Sequence, residues 1–96
     1  SNNATGFDKV RTGWFQYSDN KRETITIKGA SYLQVRIAYV HTTSTNTLTV
    51  NDQTFTLTPS YTDIYEENLT IEGDTVTFVA DFDFYHCLCP FAQQPQ

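Results

Sequence analysis

The chain lacks methionine, and it has only two cysteines, three prolines and four glycines in 96 residues. Positive charge is also scarce. Lys9, Arg11, Lys21, Arg22, Lys28 and Arg36 are the only lysines and arginines; they are scattered, and the formal net charge is -5. A nucleic-acid binder gathers its basic side chains into a patch, so neither nucleic acid nor an anionic membrane is an expected partner. No apolar run is long enough to span a bilayer and no signal peptide is visible, so no membrane insertion is expected. A chain without methionine is expected to be a processed product or a module cut from something longer. No segment carries helix start and stop signals, and there is no internal repeat or linker.

Aromatic residues make up 15% of the chain, with seven Phe, six Tyr and one Trp. Each buries a large apolar area, which allows a thin two-layer core. Thr24, Thr26, Thr47, Thr49, Thr54, Thr56, Thr58, Thr75 and Thr77 alternate with apolar residues, as suits the wet side of a pleated sheet. The clearest case is 76–84. Val76, Phe78, Ala80, Phe82 and Phe84 recur at every second position, with Thr77, Asp81 and Asp83 between them. This period predicts one long strand with a dry and a wet face.

Other strands read similarly. Ile25 and Ile27 point inward between Thr24 and Thr26, then Gly29-Ala30-Ser31 breaks the strand. Leu33, Val35, Ile37 and Tyr39 form the next inward row, with Gln34 and Arg36 outward. Ser18-Asp19-Asn20 is a turn cluster. Asn51-Asp52 predicts a two-residue hairpin between 47–50 and 53–57. Residues 61–68 read as an acidic connection with a short strand near Ile64. Glu72-Gly73-Asp74 is a second hairpin signal, and Pro90 is expected to close the last strand. The domain plan is a flexible arm over 1–12, one β-sandwich domain over 13–91 and a disordered tail over 92–96. Seven or eight short strands separated by regular turns predict an all-β fold, an antiparallel sandwich of the jelly-roll kind.

Thr24-Ile25-Thr26-Ile27-Lys28-Gly29-Ala30, followed by Leu33-Gln34-Val35, resembles the early strand, small-residue turn and next strand of CUB and CUB-like domains. Ile71-Glu72-Gly73-Asp74-Thr75-Val76-Thr77-Phe78 resembles their penultimate hairpin, and Asp81 stands where that family often has an acidic residue. The likeness runs loosely from Trp14 to Phe91. It implies an extracellular jelly-roll module with adhesive rather than enzymatic activity. Many members bind calcium through acidic residues of two loops; here the loop after Val40 carries no carboxylate.

Cys87-Leu88-Cys89 is the most specific chemical feature. Residues two apart in a strand share a side, so the two sulfurs run parallel and a bond between them is strained. Three readings stand: two reduced thiols, at least one of them buried; a disulfide to another chain; or a metal site completed by His86, which points the other way. Asp81 and Asp83 are the candidate calcium ligands; otherwise no cofactor is expected. Trp14, Tyr17, Tyr32, Tyr61 and Tyr65 are candidate sugar-stacking platforms, with Tyr61, Asp63 and Tyr65 the preferred set. Asn3 and Asn68 head glycosylation sequons. Ser31, His41 and an aspartate can be written as a triad, but no nucleophile-elbow context surrounds them. A paired-carboxylate glycosidase needs a groove that long loops would have to shape.

The expected function is therefore a non-catalytic binding or structural module of a secreted, cell-surface or virion assembly. It would act through the 41–46 and 58–68 loops or an edge strand, on a protein partner or by self-assembly. The alternative is a carbohydrate-binding, lectin-like module, with or without calcium.

Overall fold

The computed structural model describes residues 14–40, 44–57 and 64–92, with the backbone alone at 40 and 64–67. The 1–12 arm and all but the first residue of the 92–96 tail lie outside the described residues. Eight strands are seen: β1 (Phe15–Tyr17), β2 (Arg22–Thr26), β3 (Tyr32–Val40), β4 (Asn46–Val50), β5 (Gln53–Leu57), β6 (Ile64–Glu72), β7 (Thr75–Ala80) and β8 (Phe84–Phe91).

Their pairing is nested. β4 pairs with β5, β3 with β6, β2 with β7 and β1 with β8, all antiparallel. The chain thus folds back on itself at Asn51-Asp52, where Asn51 takes φ 52°, as the sequence predicts. This long double ribbon rolls up when β3 also pairs with β8 and β4 with β7. Two four-stranded sheets result, β1-β8-β3-β6 (the first) and β2-β7-β4-β5 (the second). The protein is an all-β antiparallel sandwich, wound in jelly-roll order.

Side chains of alternating parity fill the space between the sheets. Leu33, Val35, Ile37 and Tyr39 of β3 face Ile25, Leu48, Val50, Val76 and Phe78 of the second sheet, and all are buried. Phe78, Phe82 and Phe84 knit the aromatic part. Phe78 lies edge-on to Phe84 at 5.3 Å, and Tyr39 edge-on to Phe82 at 5.4 Å. Such edge contacts add to the area that these rings bury.

Four sequence expectations need correction. The single strand over 76–84 is two strands, one in each sheet, separated by a corner at Asp81-Phe82-Asp83. Both strands turn the same parity toward one core, so burial alternates unbroken from Val76 to Pro90 while the chain changes sheets. Periodicity alone cannot see that change. Residues 64–68, read as part of a connection over 61–68, instead open a nine-residue strand, 64–72, paired along its whole length with β3. Glu72-Gly73-Asp74 is not a hairpin turn, because β6 and β7 belong to different sheets. Gly73, at φ 105°, donates its N–H to Ser31 O at 2.6 Å, and Ile27 N–H reaches Asp74 O at 2.8 Å. The two crossings, β2 to β3 and β6 to β7, are thereby fastened together.

Finally, β8 runs through Pro90 to Phe91. Phe91 O accepts from Ser31 N–H on the β3 side at 2.8 Å. Successive peptide groups of a strand point to opposite sides, so the proline nitrogen faces the other flank. There, among the described residues, β1 pairs only with residues 84–86, and none of its ladder bonds is lost.

Candidate binding surfaces

The carboxylates of the corner serve the fold. Asp81 Oδ1 accepts from Thr47 N–H at 3.0 Å and from the Asn46 side-chain amide at 3.2 Å. Asp83 Oδ1 accepts from Asp19 N–H at 2.8 Å. Each aspartate therefore fastens a different neighbouring segment to the corner. Among the described residues, no three His, Cys, Asp or Glu side chains are grouped so as to hold a metal ion. Tyr17, one of the candidate stacking residues, is fully buried. Its hydroxyl accepts from Ala80 N–H at 2.8 Å and reaches the Lys21 carbonyl. It ties β1, the following turn and the end of β7 to one oxygen.

The outer face of the first sheet carries the cysteines. Neither is in a disulfide within the chain, and both are half-buried; of the three readings, the one with two reduced thiols had at least one of them buried. Arg36 stands opposite Cys87 and Gln34 opposite Cys89. Burial pushes the Cys87 thiol above its ordinary range; the nearby Arg36 pulls it down and Cys89 pushes it up. The Arg36 guanidinium lies 5.1 Å from the centre of the Trp14 ring, a cation–π contact. Trp14 is 47% exposed and Tyr85 48% exposed, the two large hydrophobic residues most open to water among the described residues. Asn68 is exposed and opposite Arg36, which places its sequon on this same face.

His86 is on the other side of β8, fully buried against Phe78 at 4.8 Å and stacked on Phe15 at 6.3 Å. It is thus separated from the two sulfurs, and the three side chains form no common site. Its Nε2 lies 3.8 Å from Glu23 Oε1, a contact from one sheet to the other. Sequence reasoning passed over Glu23. The signal was there, since Glu23 has the inward parity of Ile25.

The outer face of the second sheet is a hydroxyl surface. Thr24 and Thr77 share a hydrogen bond at 2.9 Å, Thr26 and Thr75 at 3.0 Å, and Thr49 and Thr54 at 3.1 Å. Each pair joins residues directly opposite on neighbouring strands. Two adjoining hollows of about 430 Å³ each lie over β7. One is lined by Thr49, Asn51, Asp52, Thr75 and Thr77, the other by Asn20, Lys21, Thr47 and Asp81. Arg22, Thr49 and Val79 belong to both, so the hollows form one groove. Asn51 shapes one wall: its Oδ1 accepts from Thr77 N–H at 2.9 Å, continuing the β4–β7 ladder past its last strand residue.

Of the remaining candidates, Tyr61, Asp63, Asn3 and His41 lie outside the described residues. Tyr65 falls within β6, paired with Tyr39, so its backbone belongs to the sheet and not to a loop. Ser31 is exposed in the β2–β3 crossing. No family model matches the chain, and no curated protein or solved structure matches it either.

Proposed function

We propose that the chain is a non-catalytic binding or structural module of an extracellular, cell-surface or virion assembly. Its contact face is the outer side of the first sheet, and its partner is a protein chain, a second copy included. The observation that carries this reading is the grouping of half-exposed Trp14 and Tyr85 with Arg36 over the two thiols. Tryptophan, tyrosine and arginine are the residue types that dominate binding energy at protein interfaces. The rigid rings of tryptophan and tyrosine lose little conformational freedom on contact, whereas flexible side chains lose more. The absence of catalysis is supported by the commitment of Asp81 and Asp83 to backbone and amide donors.

The self-assembling form can be tested with this chain alone, produced in bacteria so that Asn68 stays bare. Sedimentation velocity over a concentration series should show association that Trp14→Ala with Tyr85→Ala weakens by roughly tenfold or more. Mild oxidation should then trap a dimer that Cys87→Ser with Cys89→Ser abolishes. A chain that stays monomeric at every concentration and gives no trapped dimer would sink self-assembly through this face.

A further inference from the structure

The geometry points to a second binding site, on the opposite side of the molecule. The groove over β7 takes an oligosaccharide in which a sugar carrying a carboxylate adjoins a neutral one. This goes beyond the protein-contact reading and shares no residue with it.

The shape comes first. From Thr75 to Asp81 the groove follows β7 for about 20 Å at about 3.3 Å per residue. That length suits a chain of several sugar rings better than a single small molecule. β7 is hydrogen-bonded to β2 on one side and to β4 on the other. No strand edge is open along the floor, so a peptide cannot add itself by backbone pairing. No aromatic side chain among the described residues lines either hollow, so none of them offers a nucleobase a stacking platform.

Hydrogen-bond chemistry narrows the ligand further. A threonine hydroxyl has one proton and two lone pairs. In the Thr24–Thr77 and Thr49–Thr54 pairs, one proton is used between the partners and the other is available to a ligand. Each pair is thus donor and acceptor at once, matching the vicinal hydroxyls of a sugar. The Thr26–Thr75 pair differs. Thr75 donates to Asp74 Oδ1 at 2.8 Å, so Thr26 must donate to Thr75, and that pair only accepts.

Charge sets the sequence of sugars. Arg22 lies where the two hollows overlap and makes no ion pair with any described residue. Asp52 lines one hollow and Asp81 the other. Lys21 lines the second hollow together with Asp81, so the order along the groove is negative, positive and then balanced. A carboxylate is welcome beside Arg22 and repelled at the Asp52 end, so an acidic sugar sits at Arg22 and a neutral one toward Asp52. An arginine that forks onto a carboxylate gives this contact direction as well as strength.

Hyaluronan tetrasaccharide, which alternates acidic and neutral sugars, is the probe, with neutral chitotetraose as its counterpart. Both would be titrated into the full 15N-labelled chain. Amide shifts should cluster at residues 20–22, 47–52 and 75–81, and chitotetraose should bind at least about tenfold more weakly, the loss expected for one charge-assisted contact. Arg22→Gln should remove that preference, and Thr49→Val should weaken both probes. Millimolar probe giving no shifts, shifts on the Trp14 face, or a preference untouched by Arg22→Gln would each overturn the proposal. Self-association is read separately by sedimentation, and Arg22→Gln should leave it unchanged. Failure at one face can therefore be told from failure at the other.

Discussion

The two outer faces of this sandwich are built on the same strand geometry and chemically have little in common. On the first sheet, Trp14, Arg36 and Tyr85 stand out over half-buried sulfurs. On the second, threonines pair across strands and line a polar groove. The inner faces show no such divergence, since both supply apolar side chains of fixed parity to one core. A position that points inward is constrained by volume and by the cost of burying polar atoms. A position that points outward is held only to β-compatible residues. The residues that distinguish one face from the other are thus those that the fold does not need, and binding chemistry is best sought among them.

That division can be broken at three places, and the largest effect is expected where a single group serves both sheets. Tyr17→Phe keeps the ring stacked on Phe84 at 4.6 Å but removes the oxygen that accepts from Ala80 N–H. A buried donor left without its acceptor costs about 1–3 kcal/mol. Urea unfolding should show a lower midpoint with an unchanged slope. A loss below about 0.5 kcal/mol would mean that the corner does not depend on this hydroxyl.

How far the sequence could be read follows the same inward–outward division. Ile25, Leu33, Val35, Ile37 and Tyr39 were legible because each lies in an alternating run whose parity burial obeys. β6 was not. It is the edge of the first sheet, with β3 its one neighbour, and it carries Glu66, Glu67 and Asn68 where an inner strand carries apolar residues. Charged edges discourage unwanted pairing, and that composition imitates a loop. The Glu72-Gly73-Asp74 crossing was misread for a related reason: a hairpin and a crossing call for the same residue types, and only the pairing partners differ. The groove was illegible altogether. Arg22, Thr49 and Thr77 come from three different strands and Asn51 from the β4–β5 turn, and Arg22 alone reads as one more scattered cation.

A smaller effect belongs to the first face. The Cys87 thiol sits above its ordinary value of 9.0 through burial, against the pull of Arg36. Alkylation by iodoacetamide at pH 8 should therefore be slower at Cys87 than in an unfolded peptide of the same sequence, and Arg36→Ala should slow it further. The linkage has a definite sign. A thiol that holds its proton longer when folded contributes stability in full below the unfolded pKa and loses it as pH rises through the folded one. Stability should thus decline from about pH 9 upward, and less so in Cys87→Ser. Equal alkylation rates in the folded chain and the peptide would show that burial does not hold this thiol in its protonated form.

The smallest effect is expected on the second face, and its smallness is informative. Thr24→Val keeps the branched shape that suits a strand and removes an exposed hydroxyl bonded to Thr77. Water can take its place on Thr77, so the net change in stability should stay within about 0.5 kcal/mol. If each threonine pair stapled neighbouring strands, the loss would exceed about 1 kcal/mol, and the hydroxyl surface would be explained by stability alone. A neutral result shows that the branched shape, which suits a strand, is all that the fold needs of this threonine. The hydroxyl is then free to serve a ligand, and that role can be measured separately from the stability it hardly affects.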